Sequence, residues 1–119
     1  MAEIAQARNV LEEIKHLEHV KDVSLVSRGG MYVLGEPPRG VHQETYAAMS
    51  GIMIGAAETT AAEMKDNLRH VQVRLTEKDL LLVAASSRYI LAITTDGKSE
   101  VEKTVKAIQE LLSKSEMGL

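Results

Sequence analysis

Leu80-Leu81-Leu82-Val83-Ala84-Ala85, then Ser86-Ser87-Arg88, then Tyr89-Ile90-Leu91-Ala92-Ile93-Thr94 is the stretch whose reading decides the fold. Two apolar runs of strand length separated by a short polar interruption read as neighbouring strands. Neither run alternates with polar residues, so each strand is apolar on both faces. Such strands escape water only when helices cover both sides of the sheet, which predicts three layers with helices above and below.

Working outward, His70 to Leu75 alternates and reads as a further strand, at the edge of the sheet by its place in the order. Asp22 to Ser27 and Met31 to Gly35 flank Gly29-Gly30, the pattern of a hairpin whose turn needs positive φ. Glu36 to Gly40 holds both prolines and is a loop, because a proline donates no ladder hydrogen bond. Helices are expected from Ala2 to about His19 and from about Val41 to Met64. The first has a face of Ile4, Ala7, Leu11, Ile14 and Leu17. A third runs from Ser99 to about Lys114, with Ser99 and Glu102 at capping-box spacing and Val101, Val105, Ile108 and Leu112 on one face. Ser115 to Leu119 is expected to fray. The order α-β-β-α-β-β-β-α with short connections predicts an α+β fold with a five-stranded antiparallel sheet. Residues 1–119 are expected to be one domain with its core at about 4–114.

Composition excludes several functions. Hydrophobic residues are 45%, charged residues 26%, and the net charge is −3, the balance of a chain that folds without a basic groove for phosphates. Three Tyr with no Phe or Trp make no stacking platform, so nucleic acid is not an expected partner. Without Cys there is no disulfide, thiolate nucleophile or thiolate metal site. The charged opening lacks a signal-peptide apolar stretch, and the uncharged run from Thr45 to Ala57 is too short to span a bilayer. The expected location is cytoplasmic, away from membranes.

The second helix speaks most about function. At 100° per residue, Tyr46, Met49, Met53, Ala56, Thr60 and Met64 form one stripe, expected to pack on the sheet. The opposite side holds Ala47, Gly51, Ile54, Gly55 and Ala62, with Glu58 as its charge, so a face expected to be wet is small and apolar. Gly51 and Gly55 make a small-xxx-small spacing that lets helix backbones approach, either within the chain or, as favoured here, between chains. The edge strand offers a second contact through Val71 and Val73, since unpaired edge groups invite another strand. Arg74, with Arg69 and Lys78, could instead block such pairing.

Candidate chemistry is sparse. Gly97-Lys98-Ser99 ends like a phosphate loop, but Ala92 stands where the first glycine belongs. His16, His19 and Glu12 have metal-ligand spacing on a solvated face without a fourth ligand. His42 and His70 are isolated, and no serine has a paired His and acid. No catalytic, cofactor-binding or metal residues are assigned, and an enzyme acting alone is not expected.

The element order, the hairpin Val23-Ser24-Leu25-Val26-Ser27-Arg28-Gly29-Gly30-Met31-Tyr32-Val33-Leu34-Gly35, the small-residue helix Glu44 to Met64, the Leu80 to Ser99 hairpin and the closing helix resemble the roadblock/dynein light chain family, in particular its prokaryotic MglB-like members. The resemblance covers about Ile4 to Lys114. It implies a profilin-like sheet, with the second helix on one face and the terminal helices on the other. It also implies a homodimer joined by edge strands and paired second helices, and a role regulating or scaffolding a small Ras-like GTPase or serving as a motor light chain. Where such relatives activate a GTPase, the resemblance implies that they insert no catalytic arginine. Other functional classes are an adaptor without effect on turnover and a small-ligand sensor.

Overall fold

The computed structural model describes residues 2–115; the expected fraying of 116–119 lies outside them. The elements are α1 (Ala2–Lys15), β1 (Val20–Ser27), β2 (Tyr32–Gly35), α2 (Gln43–Glu63), β3 (Val71–Arg74), β4 (Asp79–Ala84), β5 (Tyr89–Thr95) and α3 (Val101–Lys114). The five strands form one antiparallel sheet in the order β2-β1-β5-β4-β3. The apolar runs β4 and β5 lie inside it, where both faces are covered.

Alternation along the strands sends side chains to two cores. Val23, Leu25, Leu81, Val83, Leu91 and Ile93 pack with Ala7, Leu11 and Ile14 of α1 and Val105 and Ile108 of α3. Val26, Leu82, Ile90 and Ala92 meet Ala47 and Ile54 of α2 on the other side. The three-layer, profilin-like α+β arrangement is therefore present, with two helices on one face and one on the other.

Three local expectations are corrected. The first helix ends at Lys15 rather than His19: the chain turns through Leu17, and His19 adopts φ 74, which no helix accommodates. Ile4, expected in the core, is 42% exposed, while Val10 is buried. The Ser99 capping box does not form, because Glu100 occupies the cap position without a side-chain hydrogen bond and the Ser99 hydroxyl is buried with no partner among the described residues.

α2 is the crossover that carries the chain from β2, at one edge, to β3, at the other. It lies across the sheet because its two neighbouring strands sit at opposite margins.

Candidate interaction surface

His42 caps the start of α2, its ring nitrogen accepting from the Thr45 N–H at 3.4 Å. At the far end Lys65, at φ 57, turns the chain out, and the Asp66 N–H returns to the Ala61 carbonyl at 3.0 Å. Between these ends the helix presents the opposite face from the one its pattern suggested. Ala47, Ser50, Gly51 and Ile54 are buried against the sheet, whereas Met49 is 46% and Ile52 61% exposed. Of the stripe expected inside, only Tyr46 and Met53 join the core, and Ala56, Thr60 and Met64 are exposed. Both stripes are apolar enough to be buried. The small one was taken because the β1–β2 turn comes so close.

Gly51 shows that approach. A Cβ there would lie 3.0 Å from the Arg28 carbonyl oxygen and 3.4 Å from Gly30 Cα. Gly30, at φ 92, meets Ala48 Cα at 3.1 Å in the same sense. Gly51 therefore serves an approach within the chain. Gly55 does not: nothing lies within 4 Å of its Cβ position. Ala62 is exposed, so Gly55 and Ala62 remain on the surface while Ala47, Gly51 and Ile54 do not. Glu58, expected to point outward, accepts from the Arg28 guanidinium.

β3 is an edge strand, with Val71 and Val73 half-buried. The Leu75 N–H donates to the Lys78 carbonyl at 2.8 Å, and register pairs Val73 with Leu80 and Arg74 with Asp79. Antiparallel parity then turns the Val73 and Val71 N–H groups toward β4 and those of Gln72 and Arg74 outward. The Arg74 side chain does not guard the edge with a free charge, because it is held by Asp79. The opposite edge is less open to pairing: β2 is short, bulged against Leu25 and Val26, and ends at Gly35, φ 99, before the two prolines.

The other candidate groups have structural partners. His19 Nδ1 donates to Asp96 Oδ2 at 2.9 Å, and the Lys98 N–H donates to Asp96 Oδ1 at 2.8 Å. Both bonds, His19 first, hold the Asp96 carboxyl below its ordinary range. The Gly97-Lys98-Ser99 segment is thus a turn built on an acid, which repels phosphate. His16 Nδ1 bonds the Glu12 carbonyl at 2.7 Å. On the α2 side, Thr94 donates to Asp22 at 2.7 Å, and Ser24 bonds Tyr32 and the Glu36 carbonyl. The Tyr46 hydroxyl is buried without a partner among the described residues, and burial, then the Asp22 charge, pushes its pKa upward. The sequence reading missed this polar group, since its members lie on three strands and a helix. Among the described residues, no three His, Asp or Glu side chains gather as metal ligands, and no helix is long and apolar enough to cross a membrane.

A sheet wrapped by α1 and α3 on one face and by a crossing, small-residue α2 on the other defines a profilin-like three-layer fold. The model of the Roadblock/LC7 domain matches residues 6–95, and the chain belongs to that family. Two uncharacterized proteins of Methanocaldococcus jannaschii are each 30% identical to it over 89 residues, 75% of this chain and 78% of theirs. Its fold is similar to that of MglB from Myxococcus xanthus, with a TM-score of 0.81 at 17% identity over 96% of this chain and 90% of that one. Profilin from Schizosaccharomyces pombe shares the fold more distantly, with a TM-score of 0.61 at 11% identity over 92% of each chain.

Proposed function

We propose that this Roadblock/LC7 chain is a cytoplasmic homodimeric module that binds and regulates a small Ras-like GTPase. The carrying observation is the outer stripe of α2, where Met49 and Ile52 stand 46% and 61% exposed beside an unobstructed Gly55. Large apolar side chains grouped on a helix face mark a contact surface, and an open helical glycine lets a second backbone come close. The dimer joins α2 to its copy along Met49, Ile52, Gly55 and Ala56, with Ala62 at the margin. β3 adds its outward Gln72 and Arg74 groups beside Val71 and Val73. This replaces the interface expected at Ala47, Gly51, Ile54 and Glu58 with the stripe on the other side of the same helix.

Regulation by such a surface is positioning. A rigid helix pair against mobile switch loops holds the partner's own catalytic groups in line with the attacking water, and no residue of this chain enters the reaction. Support for a GTPase partner comes from family membership and the fold shared with MglB. Sedimentation at about 10 μM should give twice the 13.0 kDa chain mass, because dimerisation follows protomer concentration. A regulator must bind the GTP-like and GDP forms of its GTPase with affinities at least about tenfold apart, roughly 1.4 kcal/mol. Equal affinities with unchanged hydrolysis at saturating dimer would leave an adaptor instead.

A further inference from the structure

α2 has two apolar stripes, and the one with Tyr46, Met49 and Met53 carries larger side chains than the buried one with Ala47, Gly51 and Ile54. Apolar burial alone therefore does not account for the rotation that the helix adopts about its own axis. Rotation matters, because a roll of about 100° moves each side chain to its neighbour's place on the cylinder. A roll in the sense that carries the fully buried Ser50 to the exposed place of Met49 also carries the exposed Ile52 to the buried place of Gly51.

Arg28 touches α2 at two points of one stripe. Its carbonyl oxygen is 3.0 Å from the Cβ position of Gly51, and its guanidinium donates to Glu58, seven residues and two turns further on. Among the described residues, the bond to Glu58 is the one side-chain hydrogen bond joining α2 to the sheet or its turns. Arg28 is itself anchored, since Nη2 donates to the Ser86 carbonyl at 3.1 Å and its N–H to the Arg88 carbonyl at 2.9 Å. We propose that Arg28 is the positioning residue that fixes the rotation of α2 through Gly51 and Glu58, and so selects which stripe is offered to a second copy of this chain. The last clause rests on the dimer reading above.

The chain has no cysteine, so Ser50→Cys supplies a single buried thiol as reporter. Arg28→Ala and, as the milder change, Glu58→Gln are each introduced into that background, and maleimide labelling, hydrogen exchange of α2 amides and dimer dissociation are measured. We expect labelling to rise and dimer affinity to fall by at least about tenfold each, with α2 amides still protected, because a rolled helix keeps its backbone bonds. Labelling unchanged in both variants overturns the proposal, and so does faster labelling accompanied by lost amide protection, which is unfolding rather than rotation. Faster labelling with retained protection, where the Ser50→Cys parent without either change already sediments as a monomer, upholds the role of Arg28 in rotation and overturns the dimer reading alone.

Discussion

Arg74 donates from Nε and Nη2 to the two carboxylate oxygens of Asp79, both at 2.9 Å, and the acid is fully buried while the guanidinium is 61% exposed. The two residues face each other across β3 and β4, so the edge strand is locked to its neighbour by a fork of charge-assisted bonds. Removing the arginine leaves a buried carboxylate without this partner. Arg74→Ala should lower the midpoint of denaturant unfolding. Adding Asp79→Leu should recover much of that loss, since an uncompensated charge costs more than the pair contributes. A single variant as stable as the parent would show that Asp79 finds another donor.

The two glycines of α2 should respond in opposite ways. Gly51→Leu forces a side chain against the Arg28 carbonyl and should destabilise the chain itself by about 1–3 kcal/mol or more, seen as a lower Tm. Gly55→Leu meets open space within the chain and replaces a poor helix former, so Tm should hold or rise while sedimentation moves toward the single-chain mass. If Gly55→Leu remains fully dimeric, helices do not pair at that point.

Proline in β3 separates the edge from the ladder. Val73 directs its N–H to β4, so Val73→Pro should unfold the strand. Gln72→Pro removes an outward donor, which an edge strand tolerates, and should weaken the dimer while leaving circular dichroism and Tm nearly unchanged. Unaltered association of Gln72→Pro would leave α2 as the sole contact.

Acid stability should depend on Asp96. Its folded pKa lies below the unfolded value of 3.8, so its contribution is fully present above that value and disappears as pH falls through the folded one. Asp96→Asn should therefore lower Tm at neutral pH and flatten the decline of Tm below about pH 4. The same slope in variant and parent would place the acid sensitivity elsewhere.

The strands, the turn at Gly30 and the three helices were legible because their signals are local. Period-two alternation at Val71 and Val73, doubly apolar runs at Leu80 to Ala84 and Tyr89 to Thr94, and paired prolines each act within a few residues. The family resemblance depended on that same order. The site was legible only as far as naming the helix that carries it. Glu58 and Arg28 are thirty residues apart, Arg74 gives no sign of being spoken for by Asp79, and Tyr46 gains its polar neighbours only when three strands come together.

What the sequence alone determined is that β4 and β5 need cover on both faces and that α2 is apolar on two sides and small on one of them, for those are properties of side chains in order. Which side of α2 turns inward was decided by the tertiary structure. The stripe with the larger apolar side chains was left partly outside, so the choice fell to steric fit: the β1–β2 turn reaches the helix where Gly51 lacks a Cβ, and Arg28 then finds Glu58 two turns away. Close approach of backbones and pairing across distant segments exist only once the chain has closed on itself.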